Sequence, residues 1–183
     1  MAGTDKDEGT RPEKRVGDED PFATPESARR ADRRLRGRLL APVTVWTAAT
    51  GEDRAGLTVS SLVVAEGEPA QLFALVDPLS ELHRLAAESG RVLVHVLGAG
   101  EEKVAAFFAG RYPVDPFEEL AFEPDEYGPR LAGERTTVRA RFASSEPAGF
   151  QNLLRATVDS VLLATGGEDP LAWYRGGFRR LSS

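Results

Sequence analysis

Several residue types that build reactive or membrane-embedded sites are absent or rare in this chain of 183 residues. It has no cysteine, which excludes disulfides, thiolate nucleophiles and cysteine-bound metal or iron–sulfur centres. Only two histidines occur, His83 and His95, and they lack the spacing of a ligand pair, so we predict no metal site. No apolar run reaches about 18 residues and no signal peptide opens the chain. We therefore expect a cytoplasmic protein that does not enter a membrane.

An excess of acidic residues limits the choice of partners. The net charge is −6 and the isoelectric point is about 5.1, which argues against nucleic acid as a partner. One local exception is a group of arginines spaced within a single predicted helix: Arg29, Arg30, Arg33, Arg34, Arg36 and Arg38. We interpret them as a solvated helix face that forms internal ion pairs.

The N-terminal segment differs in composition from the rest of the chain. Residues 1–24 mix both charges with Gly, Thr and Pro and contain almost nothing apolar, so we predict a disordered tail. Thr24 and Pro25 are typical of a helix start, and the helix is expected to run to about Leu40. The remaining length predicts a single domain over residues 25–183, and the hydrophobic content of 41% is typical of a globular protein.

A hairpin is the most informative stretch of the sequence. Residues 44–50 and 57–62 are rich in β-branched residues and flank a polar turn over residues 51–56. The second strand ends in the hydroxyls of Thr58, Ser60 and Ser61. Small hydroxyls at a strand end suit a ligand with phosphate and amide edges, although ordinary sheet-edge residues have the same pattern. Trp46 is expected to be a core anchor or a wall of that site.

The rest of the chain alternates short strands with few helices. Strands are expected over residues 62–65, 71–76, 91–97, 136–143, the second half of 153–164 and 171–181, and helices over residues 81–89 and 101–109. Residues 98–103 imitate a dinucleotide-binding loop, but Lys103 occupies the position of its third glycine. The aromatic segment 112–129 is expected to cover a site or build a subunit contact. These elements favour an antiparallel barrel with peripheral helices.

Acid–base groups are scarce, and no serine–histidine–aspartate arrangement is indicated. A reaction that depends on an organic redox cofactor does not require such groups, because the cofactor carries the chemistry and the protein positions it. The sequence motifs point the same way. Residues 42–47, 55–61, 75–77 with Ser80, 88–91 and 170–176 resemble, in order and spacing, the flavin reductase-like family of FMN-binding split barrels. The resemblance spans residues 33–181.

The resemblance implies a mainly β fold with peripheral helices, an antiparallel FMN-binding split β-barrel. It also implies an oxidoreductase that passes a hydride from NAD(P)H to flavin, with FMN or FAD bound, and a homodimer whose site lies between subunits. The residues it assigns to the flavin's polar edge and ribityl-phosphate are Thr58, Val59, Ser60 and Ser61. Asp77 and Ser80 are assigned to the neighbourhood of the phosphate, and Tyr174 and Arg175 to the closing motif.

One departure from the family concerns the expected catalytic position. The family commonly has a Gly-Asp-His run where this chain reads Phe150-Gln151-Asn152, so Asn152 stands in place of the histidine. Asparagine donates and accepts hydrogen bonds but does not change charge near neutral pH. Leu79 and Leu82 also occupy positions where the family often has hydroxyls.

Two alternatives to a flavin reductase therefore remain open. One is a flavin-binding or cofactor-less barrel that serves as a partner module. The other is a deazaflavin-dependent reductase, which requires a basic groove that Arg84, Arg91 and Arg111 would have to form.

Overall fold

The computed structural model describes residues 31–166 and 169–181. The helices in these residues are α1 (Ala31–Arg36), α2 (Glu81–Ser89), α3 (Glu102–Phe108) and α4 (Pro116–Glu119). The strands are β1 (Ala41–Pro42), β2 (Thr44–Thr50), β3 (Asp53–Val59), β4 (Val63–Ala65), β5 (Gln71–Val76), β6 (Arg91–Val96), β7 (Phe122–Glu123), β8 (Arg130–Leu131), β9 (Thr137–Ala148), β10 (Gln151–Leu162), β11 (Leu171–Tyr174) and β12 (Gly177–Arg180). The predicted tail and helix start lie outside the described residues.

The main sheet has seven antiparallel strands in the order β3-β2-β6-β9-β10-β5-β4. Its two edge strands, β3 and β4, are consecutive in the chain and are separated only by residues 60–62. The two edges of the sheet therefore meet at this connection and curl the sheet on itself. The Ser61 hydroxyl strengthens the junction, because it accepts from the Leu75 N–H at 2.8 Å and donates to the Leu75 carbonyl at 3.1 Å. The prediction of an antiparallel barrel with peripheral helices is confirmed.

Two apolar clusters stabilise the barrel. The first lies between the inner face of the sheet and α2, and includes the buried side chains of Trp46, Leu72, Leu82, Leu85 and Leu154. Trp46 is fully buried and its indole N–H donates to Thr44 Oγ1 at 3.0 Å, so it is a core anchor. The second cluster packs α3 against β2 and β11, through Val43, Val45, Leu97, Phe108, Leu131 and Leu171.

The sequence specifies α2 at both ends. Ser80 is the N-cap, and its hydroxyl accepts from the His83 N–H at 3.3 Å. Gly90 ends the helix with φ of 70°, and its N–H donates to the Ala86 carbonyl. Between these caps Leu82, Leu85 and Ala86 form one buried face, so α2 packs where the sequence predicts it.

The predicted hairpin exists, but its turn is shorter than expected. Thr50 pairs with Asp53, so Gly51 and Glu52 alone form the loop, with Gly51 at φ of 61°. Gly56 was expected in the turn but lies inside β3. A Cβ atom at this position would come within 2.3 Å of the Phe108 ring, which explains the glycine by the close approach of α3.

Three other boundaries differ from the prediction. Helix α1 ends at Arg36 rather than near Leu40, because Gly37 opens a turn. Residues 62–65 do not continue β3, since β4 pairs with β5 on the other edge of the sheet. Residues 171–181 form a hairpin, β11 and β12, rather than one strand, and β1 completes that small sheet.

The long β9–β10 hairpin was also predicted too short. The strands pair from Ala148 and Gln151 at the tip to Thr137 and Leu162 at the base. Pairing shifts between Arg155 and Ala156, so that Ala143 is an extra residue in β9. Phe150, at the tip, is 84% exposed.

The aromatic segment 112–129 packs on its own chain. Phe117 and Phe122 lie against the Phe108 ring in the second cluster, with ring centroids 5.5 and 6.4 Å from it. Farther along, the Asp125 carboxylate accepts from Arg139 at 2.6 Å and the Tyr127 hydroxyl donates to Asp159 at 2.9 Å. These contacts hold the segment against the outer face of the sheet, and its role in covering a site or building a subunit contact stays a prediction.

Candidate functional site

The hydroxyl-rich end of β3 divides into a packed part and an accessible part. Thr58 and Val59 belong to the packed part: the Thr58 hydroxyl donates to the Ala105 carbonyl at 2.7 Å, and the Val59 side chain is 2% exposed. The Val59 carbonyl accepts from the buried Thr44 hydroxyl at 2.8 Å. The side chains of Thr58 and Val59 therefore join core elements together.

Ser60 and Ser61 form the accessible part. Both are half-buried and lie in the connection where the sheet edges meet. The Ser61 hydroxyl is bound to both backbone groups of Leu75, whereas the Ser60 hydroxyl lies 3.5 Å from the Arg36 guanidinium. A hydroxyl beside an arginine at a sheet corner suits an anionic ligand.

Asp77 and Ser80 shape the turn that leads from β5 into α2. Asp77 Oδ1 accepts from the Leu79 N–H at 2.9 Å, and the Asp77 carbonyl accepts from the Ser80 hydroxyl at 2.8 Å. Asp77 is exposed, and its charge opposes a neighbouring phosphate. Ser80 stands at the N-terminal end of α2, where unpaired N–H groups and the helix dipole favour an anion.

Asn152 lies at the same end of the barrel as Ser80. It pairs with Val76 at the end of β5, and Val76 directly precedes Asp77 in the chain. Its side chain shares the inner face of β10 with the buried residues Leu154 and Ala156, since side chains alternate along a strand. Its Nδ2 atom is 3.5 Å from Nε2 of His83, which projects from the first turn of α2.

The closing motif contacts the turn that follows α1. Tyr174 pairs with Gly177, and Arg175 occupies the exposed turn of the β11–β12 hairpin with φ of 51°. The Arg175 N–H donates to the Gly37 carbonyl at 2.9 Å, directly after Arg36. Arg175 thus supports the segment that brings Arg36 to Ser60.

The structure gathers five polar residues at one end of the barrel, and we call this group the polar junction: Ser60, Ser61, Ser80, His83 and Asn152. Its members come from the β3–β4 connection, both ends of α2's first turn and the start of β10. Leu75 links Ser61 to β5, and β5 pairs with β10, so Ser61 and Asn152 are about two strand spacings of 4.8 Å apart. Of the other predicted site residues, Thr58 and Val59 face the core and Tyr174 and Arg175 lie beyond α1.

His83 is the site residue that sequence reasoning missed. Its Nε2 atom is 2.9 Å from the Ser145 hydroxyl, although the two residues are 62 positions apart in the chain. The available signal was the position of His83 three residues after an N-cap, on the margin of an apolar helix face. A hydrolytic triad does not result, because Asn152 contacts the same ring nitrogen as Ser145 and not Nδ1.

His95 has a purely structural position. It is fully buried in β6, and its Nε2 atom is 3.3 Å from the Thr47 hydroxyl, which donates to the Pro129 carbonyl at 2.7 Å. Burial, and then the positive charge of Arg135, lower the pKa of His95 to about 3. The ring is therefore neutral throughout the physiological range, and its Nδ1 atom has no partner among the described residues.

The arginines that a deazaflavin site would need are held by separate partners. Arg84 pairs with Glu81 and Glu88 along α2, at 2.7 and 3.0 Å. Arg91 lies over the Tyr127 ring, and Arg111 lies between Trp173 and Phe178. These contacts give no support for a shared basic groove.

Within residues 31–166 and 169–181, no helix is long and apolar enough to span a membrane. The same residues contain no group of three or more potential metal ligands. The 98–103 loop closes on itself, since the Glu101 carboxylate accepts from the Gly98 N–H at 2.8 Å.

Comparison with known proteins identifies the family. Residues 36–182 match the flavin reductase like domain. The reductase component of 4-hydroxyphenylacetate 3-monooxygenase from Thermus thermophilus is 30% identical over 144 residues, 79% of this chain and 91% of that protein. The FMN reductase (NADH) SmoA of Agrobacterium fabrum is 30% identical over 157 residues, 84% of this chain and 86% of that protein.

A solved structure agrees with these sequence matches. The NADH:FAD oxidoreductase SgcE6 of Streptomyces globisporus, in complex with NAD and FAD fragments, superposes with a TM-score of 0.74 at 25% identity. The match covers 82% of this chain and 90% of that one. The match over residues 36–182 and the similarity to these relatives show that the chain, an antiparallel barrel, belongs to the flavin reductase-like domain family.

Proposed function

We propose that this chain is a flavin reductase that uses NAD(P)H to reduce FMN, with FAD as the alternative flavin, and that the polar junction is its flavin site. The observation that supports the assignment is the placement of hydroxyl, amide and imidazole groups at one end of the barrel, from the β3–β4 connection to the start of α2 and of β10. This donor set fits a ligand with a phosphate and a polar ring edge. Relatives named FMN reductase (NADH) and NADH:FAD oxidoreductase support the same activity.

The hydroxyl residues of the polar junction and their neighbours on β3 have proposed binding roles. Ser60 and Ser61 contact the flavin's polar edge, with Thr58 and Val59 contributing through backbone groups alone. Ser80 and the N-terminal end of α2 hold the phosphate, where each charge-assisted hydrogen bond contributes about 1.5–3 kcal/mol. Asp77 shapes the turn. The bound flavin supplies the redox chemistry, by accepting a hydride from the nicotinamide.

In this proposal Asn152 orients the ligand through hydrogen bonds and does not transfer a proton. Its amide donates and accepts hydrogen bonds but does not take up a proton near neutral pH. Tyr174 and Arg175 act from a distance, because the Arg175 backbone supports Gly37 and so the approach of Arg36 to Ser60.

The test is a titration of the purified, flavin-free protein with FMN and then FAD, followed by flavin fluorescence. We expect saturable binding in the low micromolar range or tighter, and oxidation of NADH or NADPH in the presence of the bound flavin. A matched variant, Ser60→Ala with Arg36→Gln, should weaken FMN binding without lowering the melting temperature, because both side chains are accessible. Absence of binding to either flavin would contradict the proposal.

Asn152 stands where the family commonly has a histidine. This difference favours a second candidate function, that of a flavin-binding module with no reductase activity. Asn152→His separates the two functions. If wild type turns over NADH and the variant changes turnover only modestly, the reductase assignment holds. A large gain over an inactive wild type would show that this chain has a degraded reductase site and acts as a binding module.

A homodimer and a cytoplasmic location complete the proposal. Exposed apolar side chains at the β4 edge, Val63 and Val64, are 61% and 57% exposed and offer contact area outside the aromatic segment. Light scattering should give the mass of a dimer at micromolar concentration, and a monomer would contradict a site shared between subunits. Because one relative is named a monooxygenase reductase component, we also propose that an oxygenase consumes the reduced flavin.

A further inference from the structure

The sheet offers few hydrogen-bond partners that could fix the orientation of the Asn152 side-chain amide. Its neighbours across the ladder are Val76 on β5 and Pro147 on β9, and neither offers a polar side-chain atom. Among the described residues, its one side-chain hydrogen-bonding contact is with His83. An asparagine amide presents a donor side and an acceptor side, and the contact with His83 decides which side faces a ligand.

His83 is itself held on several sides. Its backbone N–H is bound by the Ser80 hydroxyl, so the first turn of α2 is closed beneath it. Its ring meets the edge of Phe142 at a centroid distance of 6.4 Å and an interplanar angle of 76°. Its Nε2 atom is 2.9 Å from the Ser145 hydroxyl. A ring held by these contacts is preorganised to orient a neighbouring amide.

The bulge in β9 brings Ser145 into this arrangement. Strand alternation places Val138, Ala140 and Phe142 on the inner face, and without an extra residue Ser144 would follow them inward. Ala143 shifts the register by one, so that Ser145 pairs with the buried Leu154 and shares its face. The inward-facing hydroxyl is thus a product of the bulge.

The two contacts on Nε2 point to one tautomer of the His83 ring. In the amide orientation of the structure, Asn152 Nδ2 faces Nε2 at 3.5 Å, and this contact is a hydrogen bond only in the tautomer whose Nε2 accepts and whose proton is on Nδ1. In that tautomer the Ser145 hydroxyl donates to the same nitrogen. The Oδ1 atom of Asn152 is then left to accept a hydrogen bond from a ligand N–H or O–H.

We propose that His83 is a positioning residue that holds Asn152 with its carbonyl oxygen presented to the bound flavin. The inference rests on the proposed function, because it assigns a ligand to the side of Asn152 that His83 leaves open. His83 acts through Asn152 and does not itself contact the ligand.

The first experiment needs no flavin. The chain has two histidines, so ¹⁵N-histidine NMR resolves both rings, and His95→Gln assigns the signals. We expect His83 to carry its proton on Nδ1. His95 should carry its proton on Nε2, because the Thr47 hydroxyl donates to Pro129 and so accepts from His95. A protonated Nε2 in neutral His83 would overturn the proposal.

The second experiment is a double-mutant cycle on the Kd for FMN. His83→Leu should raise the Kd about tenfold, whereas His83→Gln, which keeps an acceptor for Asn152 and Ser145, should stay within about threefold. In an Asn152→Ala background, His83→Leu should change the Kd by less than about twofold. Glu88→Leu, an exposed substitution on the same helix, is the control and should leave the Kd unchanged.

The outcomes separate this inference from the proposed function. An equal loss of affinity from His83→Leu with and without Asn152 would show that His83 contacts the ligand directly or supports the fold, and would overturn the inference. An unchanged Kd in His83→Leu would overturn it as well. If wild type binds neither flavin, the proposed function and the ligand part of the inference fall together, while the NMR result still decides whether His83 orients Asn152.

Discussion

The surroundings of the two histidines show how differently two regions of this barrel use the same side chain. His95 lies in the buried region between β2, β6 and the 129–135 segment, where its contacts are with Thr47 and the elements packed around it. His83 lies half-buried in the polar junction, between Ser145 and Asn152. One ring is enclosed by the fold, whereas the other stands at the margin of the core beside residues that a ligand can reach.

From this difference we expect stability and flavin binding to be separable in this molecule. Substitutions in the buried region should change the free energy of unfolding and leave flavin affinity intact in the protein that still folds. Substitutions in the polar junction should mainly change the Kd. Measuring both quantities for each variant tests that separation.

The largest effect is expected at Gly56, in the buried region. Gly56→Val should lower the free energy of unfolding by about 3 kcal/mol, because the new side chain overlaps the Phe108 ring, which Phe117 and Phe122 hold in place. Urea denaturation measures the change. Gly100→Ala is the matched control, since a Cβ there meets open space, and it should stay within about 0.5 kcal/mol. A tolerated Gly56→Val would show that α3 moves freely on β3.

His95 should make stability depend on pH. Its pKa of about 3 in the folded protein lies below the usual value of 6.5, so the unfolded chain binds more protons between these values. Stability should therefore fall as pH decreases through 6.5, by about 2 kcal/mol from this group between pH 7.5 and 5. Comparison with His95→Gln, which cannot titrate there, isolates the contribution. Identical pH profiles for the two proteins would contradict it.

The ion pair between Asp125 and Arg139 holds the aromatic segment on the outer face of the sheet. Burial disfavours its charge, but hydrogen bonds from Arg139 and from the Tyr127 N–H outweigh burial and hold the pKa of Asp125 below its usual value. Asp125→Asn should cost about 1–2 kcal/mol of unfolding free energy, because a charge-assisted pair on a carboxylate that is 2% exposed is weakened. Glu126→Gln, whose side chain is 65% exposed, should cost less than about 0.5 kcal/mol. Equal losses of unfolding free energy in the two variants would contradict a special role for the Asp125 carboxylate.

Ser80 should affect both stability and flavin binding. Of the substitutions predicted to destabilise the protein, Ser80→Ala has the smallest expected effect. Ser80→Ala should lower the free energy of unfolding by about 1 kcal/mol through loss of the N-cap. Ser80→Asp should restore the cap and the stability, yet weaken FMN binding about tenfold, because a carboxylate repels the phosphate. Unchanged FMN affinity in Ser80→Asp would limit Ser80 to its capping role.

Local patterns in the sequence determined much of this protein. The β-branched segments predict the β2–β3 hairpin, Ser80 and Gly90 predict both ends of α2, and alternation predicts β6. These elements form as expected because each depends on backbone preferences and on the spacing of nearby apolar residues. The order of the motifs was sufficient to indicate the family.

Only the tertiary structure decided the composition of the site. Gly56 lies in a strand because an aromatic ring from α3 packs on it, and residues 63–65 form the opposite edge of the sheet because β5 offers them a partner. His83 meets Asn152 across 69 positions of the chain, and it meets Ser145 because of a bulge at Ala143 that no local pattern predicts. Contacts between residues so far apart in sequence depend on how the whole barrel closes, and local propensity carries no information about that closure.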